Sequence, residues 1–147
     1  MGCKMRLLII NGPNINLLGV RQPDIYGKQD YEALKKLVKD TCHAEGIKVS
    51  LFQSNHEGEI VDAIQAALGS YDAIVINPAA YTHTSIAILD ALKAVNIPAV
   101  EVHISNIMER EEFRRISYTS QACVKSFMGL GIDGYRQAII YLKEYLS

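Results

Sequence analysis

At 147 residues, 49% of them hydrophobic, the chain is long enough to bury one sizeable core and too short for two ordinary domains. Its formal net charge of -1 comes from 15 basic and 16 acidic residues interspersed along the chain, which excludes a basic face for nucleic acid and leaves a small molecule as the expected partner. The three cysteines, Cys3, Cys42 and Cys123, stand far apart and in no C-x-x-C arrangement, so neither a disulfide framework nor a zinc site is expected, and a reducing cytoplasm suits them.

The N-terminus, MGCKMR, has no signal-peptide core, and Arg6 stands where a myristoylation signal needs Ser or Thr. No apolar run approaches membrane-spanning length, so no membrane partner is expected. The apolar run from Arg6 to Asn11 reads as a strand feeding a long loop. Asp30 then caps a helix carrying Leu34, Leu37, Val38 and Thr41 on one face, and Gly46 ends it. Lys48 to Gln53 reads as the second strand. Ser54-Asn55-His56-Glu57 has capping-box spacing ahead of a helix with Ile60, Ile64 and Leu68. Ala73 to Asn77 is the third strand, followed through Thr82 and His83 by a helix with Ile88, Ala91, Leu92 and Val95 facing inward. Ala99 to His103 is the fourth. A short, highly charged helix around Arg110 to Arg115 leads to a fifth strand, Ala122 to Phe127, and Gly129 and Gly131 open a last helix through Tyr135, Ala138, Ile139 and Leu142.

Strands alternating with helical stripes imply successive βα units and a parallel sheet. Right-handed crossovers then give an α/β fold: a flavodoxin-like, doubly wound, five-stranded parallel sheet of order 2-1-3-4-5 with helices on both faces. The expectation is a single catalytic domain over residues 1–147. In such sheets ligands bind beyond the carboxyl ends of the strands at the switch point. The ends of strands one, three and four carry Asn11, Asn14, Asn77, His83, Glu101, His103, Ser105 and Asn106, which one cleft can collect.

The loop from Asn11 to Gly27 exceeds the roughly 2–6 residues usual in βα connections, which points to a lid over about residues 19–27. Arg21 and Tyr26 share it, separated by a Pro-containing turn. A tyrosine acts as a base only when deprotonated, and moving its pKa from about 10 toward 7 takes roughly 4 kcal/mol. A cation about 4 Å away supplies about that much at the dielectric of a partly dried site, against about 1 kcal/mol in bulk water. On spacing alone Tyr26 also suits a hinge-packing aromatic, and Arg21 a solvated charge. Asn11 and Asn77 equally suit holding turns, His83 capping the helix that Thr82 or Thr84 begins, and Asp90 and Arg114 solvated faces.

The segments NGPNINLLGVRQPDIYG, QSNHEGEIVDAIQ, INPAAYTHTSIAILDAL and VEVHISNIMEREEFR, with GLGIDGY near the end, closely resemble type II 3-dehydroquinate dehydratase over nearly the whole chain in order. The resemblance implies dehydration of 3-dehydroquinate to 3-dehydroshikimate by anti elimination through an enolate, in the shikimate pathway, with no metal and no organic cofactor. It also implies a homo-oligomer of trimers packed as a dodecamer. By position, Tyr26 resembles the base that removes the C2 proton, Arg21 the residue that lowers its pKa, and His103 the acid that protonates the departing C1 hydroxyl. Glu101, two residues earlier on the same strand face, suits orienting that imidazole. Asn14 resembles the residue that steadies the enolate oxygen through a water. The N–H groups of Ile104 and Ser105 suit the substrate carboxylate, Asn77, His83 and Arg114 resemble hydroxyl- and carboxylate-binding positions, and Asp90 resembles a residue reaching a neighbouring subunit's site. Four positions depart from the family: Gln22 where an acid is frequent, Ala79 where a glycine is, Gln121 where a proline is, and Lys125 where a small residue is.

Three rival readings fit less well. A flavin or nucleotide-phosphate module on this sheet lacks both glycine-rich phosphate patterns, and Pro13 removes an N–H donor from the loop. A phospho-acceptor domain needs carboxylates where Asn11 and Asn77 stand. A Schiff-base dehydratase belongs to a barrel of typically about 250 residues.

Overall fold

The computed structural model describes residues 4–20 and 29–147. Five strands, β1 (Arg6–Asn11), β2 (Lys48–Gln53), β3 (Ala73–Asn77), β4 (Ala99–His103) and β5 (Lys125–Met128), pair in parallel in the order β2-β1-β3-β4-β5. The expected sheet is therefore the observed one. Strand alternation divides its core in two. Leu7, Ile9, Val75, Val100 and Val102 point to the face covered by α1 (Tyr31–Glu45) and α4 (Asp133–Tyr145). Leu8, Ile10, Ile74 and Ile76 point to the face covered by α2 (Glu57–Ala66) and α3 (Ile86–Val95). Strands buried on both faces carry no polar alternation, which is why β1 and β3 read as continuous apolar runs.

Helix ends follow from local chemistry. Asp30 Oδ1 accepts the Ala33 N–H at 2.8 Å, Ser85 Oγ accepts the Ile88 N–H at 2.9 Å, and Gly46 closes α1 at a φ of 69°. Five expectations need correction. Ser54 is not a cap: its hydroxyl donates to Glu59 rather than pairing with Glu57, and it accepts the His56 N–H at 2.9 Å. Leu68 lies beyond α2 and is exposed, and Ala67 takes the inward position instead. Cys42 fills the place given to Thr41, whose hydroxyl turns back on the Leu37 carbonyl at 2.7 Å. The charged stretch from Arg110 to Arg115 forms no α-helix but two short 3₁₀ turns, Ile107–Glu109 and Glu112–Arg114, because it has no apolar stripe to bury. Ala122 closes a third such turn, Thr119–Ala122, so β5 starts three residues later than expected, where Lys125 meets Val100.

The chain leaves β1 for β2 on one side and crosses to β3 on the other, so the switch point lies between the carboxyl ends of β1 and β3. Gly12 seals that junction. Its N–H donates to the Asn77 carbonyl at 2.8 Å, and a Cβ on it would stand 2.5 Å from the Pro78 oxygen. Among the described residues no helix is long and apolar enough to cross a membrane. Gly12→Ala should push the two strand ends apart and cost about 1–3 kcal/mol, read as a lower thermal midpoint. An unchanged midpoint would refute the close-approach argument.

Candidate active site

The cleft above the switch point is built outward from β4. Glu101 and His103 face the same way, two residues apart, and both are buried. His103 Nε2 lies 2.9 Å from Glu101 Oε2, so the imidazole donates its Nε2–H to the carboxylate and keeps Nδ1 for the cleft. Three hydroxyls complete the surroundings of Glu101: Ser117 Oγ at 2.7 Å from Oε2, Thr82 Oγ1 at 3.1 Å from Oε1, and Thr119 Oγ1 on the same oxygen. Burial by itself pushes this carboxyl up. The hydrogen bond and charge of His103, joined by Thr119 and Ser117, outweigh it and hold the group below the ordinary carboxylate range.

The ends of β1 and β3 are held by a buried chain of hydrogen bonds. The Asn77 amide donates to the Tyr135 hydroxyl at 3.0 Å, and that hydroxyl donates to Asn11 Oδ1 at 2.6 Å. Asn77 Oδ1 accepts the Ala79 N–H at 3.1 Å. This bond pins Ala79 at a φ of 54°, a left-handed conformation that costs a residue with a Cβ about 1–2 kcal/mol. A glycine would adopt the same conformation without that cost. Asn14 also stands in the left-handed region, at a φ of 70°, with its N–H bound by Asn55 Oδ1 at 3.0 Å.

On the far wall, His83 Nδ1 donates to the Ile116 carbonyl at 2.7 Å. Burial holds the His83 imidazole below its ordinary pKa; the Ile116 bond opposes the shift, and the nearby His103 and Arg114 add to it. Arg114 donates from Nε to Glu111 at 2.9 Å, and Arg110 Nη1 reaches Ser105 Oγ at 3.3 Å.

Most of the residues expected to form the site meet in this cleft. Asn14, Asn77, His83, His103, Ile104, Ser105 and Arg114 line it, and Glu101 lies beneath His103. Asp90 does not join them; it is an exposed position on α3. Tyr26, Arg21 and most of the loop read as a lid lie outside the described residues. Sequence reasoning missed Arg110, which lines the same cleft, because the residue reads only as the start of a short, highly charged helix. It missed Thr82, Ser117 and Thr119 because short hydroxyl residues in turns carry no sequence signal until their common partner is known. Together the groups offer an imidazole backed by a carboxylate at the floor and several cationic or N–H groups on the walls, an arrangement suited to an anionic, hydroxyl-bearing small molecule.

The family described as Dehydroquinase class II matches residues 5–143. A 3-dehydroquinate dehydratase of Clostridium acetobutylicum is 56% identical over 143 residues, 97% of this chain and 99% of that protein. One of Thermotoga maritima is 49% identical, over 97% and 98% of the respective chains. Among solved structures, a type II dehydroquinase from Butyrivibrio crossotus has a TM-score of 0.95 at 51% identity, covering 97% of this chain and 99% of that one. Another, from Propionibacterium acnes, has a TM-score of 0.91 at 38% identity, with coverage of 97% and 99%.

Glu101 has a depressed pKa in the fold and regains its ordinary value on unfolding, so the unfolded chain binds more protons as the pH falls. Its contribution to stability is present above the ordinary carboxylate range and is lost as the pH drops through the folded value. Glu101→Gln should therefore cost about 1–3 kcal/mol near neutrality, and the gap from wild type should narrow toward acid in urea unfolding. A gap that stays constant with pH would contradict the ionised carboxylate.

Proposed function

The chain belongs to the dehydroquinase class II family, and from that premise we propose that it is a hydro-lyase converting 3-dehydroquinate to 3-dehydroshikimate and water, a step of the shikimate pathway. The observation that carries the mechanism is the buried His103–Glu101 pair at the floor of the cleft. Tyrosinate at Tyr26 removes a proton from C2 of the ketone, leaving an enolate. Arg21 lowers the pKa of that phenol. The C1–O bond then breaks as His103 delivers the proton on Nδ1 to the departing hydroxyl, so that water leaves and the alkene forms. Each proton is accounted for, one gained by Tyr26 and one lost by His103, and no metal or organic cofactor enters. The roles of Tyr26 and Arg21 rest on the resemblance of the NGPNINLLGVRQPDIYG segment, with the loop about 19–27 as the lid of a single catalytic domain.

Asn14 holds a water against the enolate oxygen. The N–H groups of Ile104 and Ser105 bind the carboxylate, and Asn77, His83 and Arg114 bind hydroxyls and carboxylate. Their positions around one cleft support these roles. Asp90, exposed on α3, acts on a neighbouring subunit's site in a trimer that packs into a dodecamer. The enzyme works in the cytoplasm.

Turnover is followed as the rise in ultraviolet absorbance of the conjugated enone. Wild type should produce it from 3-dehydroquinate, and Tyr26→Phe and Arg21→Ala should each lose at least about 100-fold with the fold intact. Near-normal rates in both variants would sink the base assignment. His103→Ala should slow loss of water more than exchange of the C2 proton, measured by deuterium wash-in; equal slowing of both would remove His103 as the acid. If Asp90 works across an interface, dilution that dissociates the trimer should abolish activity, and a fully active monomer would exclude that role.

A further inference from the structure

Glu101 is the one fully buried carboxylate among the described residues. A carboxylate has about four lone-pair positions, and four donors meet them here: His103 and Ser117 on Oε2, Thr82 and Thr119 on Oε1. The donors come from three places in the fold. His103 is on β4 itself, Thr82 is in the 3₁₀ turn Ala79–His83, and Ser117 and Thr119 belong to the segment that runs from the Arg114 turn toward β5. That segment is docked by backbone bonds as well: the Tyr118 N–H donates to the Thr82 carbonyl at 2.8 Å, and the Ile116 carbonyl accepts from His83 at 2.7 Å.

We propose that Thr82, Ser117 and Thr119 are positioning residues for the acid: their three hydroxyl protons keep Glu101 ionised, and that fixed charge holds the Nε2–H of His103 pointed down at it and a second proton on Nδ1, facing the cleft. This inference rests on the reading of His103 as the proton donor. The arrangement has its own logic in the count of protons. Thr82 Oγ1 lies 2.6 Å from Ser117 Oγ and 2.7 Å from Thr119 Oγ1, so a proton directed along either contact is one withdrawn from the carboxylate. An anion, with acceptor capacity on both oxygens, favours turning all three hydroxyls toward it at once. A neutral Glu101 would carry an O–H of its own into a ring of donors, and either one hydroxyl or the Nε2 of His103 would have to give up its proton and accept it.

Among the described residues, the charge of Glu101 also acts on His83, on the turn before α3, and on the Cys123 thiol on the approach to β5, raising the pKa of each. Arg114 acts on the His83 imidazole from the docked segment. The sheet neighbours of Glu101, Ile76 and Ser126, carry no charge. No second cation therefore replaces the hydroxyls from within the sheet.

Thr119→Val removes one hydroxyl and keeps the side-chain shape, while Thr119→Ser keeps the hydroxyl. Glutamate carboxyls labelled with carbon-13 are titrated by NMR, with the Glu101 resonance identified by its absence in Glu101→Gln. The Glu101 midpoint should rise by about one pH unit in Thr119→Val and return in Thr119→Ser, since one hydrogen bond to a charged group is worth about that much. The acid limb of kcat should move up with it, with KM little changed. A midpoint unmoved in Thr119→Val, a serine variant that behaves like the valine one, or a midpoint that moves while the acid limb stays would each overturn the proposal. If Thr119→Val does not fold, Ser117→Ala removes a different donor and is read in the same way. The carboxyl titration does not depend on His103 being the acid. A moving midpoint beside undiminished turnover in His103→Ala would therefore overturn the acid reading and not the hold of the hydroxyls on Glu101.

Discussion

The floor of the cleft at the open end of the sheet depends on a fully buried carboxylate. Removing an ionised carboxyl from solvent without partners is among the most costly things a fold can do, and a group so placed ordinarily takes up a proton. Glu101 keeps its charge because every lone pair is met, by one imidazole and three hydroxyls. In return it fixes which ring nitrogen of His103 points at the cleft. In the proposed mechanism the acid needs its proton on the correct nitrogen before substrate arrives, and a buried carboxylate partner is a means of making that choice within the protein interior.

The rest of the sheet serves this arrangement by bringing distant segments to one place. β4 supplies the pair, the turn before α3 supplies Thr82 and His83, and the segment after the Arg114 turn closes over both. On the other side of the switch point, the Asn77–Tyr135–Asn11 chain locks the ends of β1 and β3, with Gly12 admitting the backbone of Pro78 at a distance no side chain would allow. The wall that carries the Asn77 amide and the floor that carries His103 are thus set by separate buried networks. Ala79, held in the left-handed region by Asn77, records the local strain that this wall accepts.

The fold was legible because its signal is long-range in character and simple in form. Four strands have the expected bounds, since β1 to β4 are buried runs flanked by turn residues, and the order across the sheet follows from crossover handedness. The errors cluster where tertiary contacts override local pattern. Ala122-Cys123-Val124 looks like the start of a strand, yet Thr119 is tied to Glu101 and the chain must finish a turn before it can pair with β4. The run around Arg110 to Arg115 has helix-forming residues but no face to bury, and its arginines turn toward Ser105 and Glu111 instead. Within the site, His103 and Glu101 were visible through their spacing on a strand. The three hydroxyls were not, because they are separated from Glu101 by between 16 and 19 positions and become meaningful only in its company.

The most direct measurement is the protonation pattern of the His103 ring itself, read by long-range nitrogen-15 to proton NMR correlations on histidine-labelled protein near neutral pH. A proton on Nε2 is expected, with the shift of a strong hydrogen bond to a carboxylate. A bare Nε2, accepting its hydrogen bond from a neutral Glu101, would contradict it.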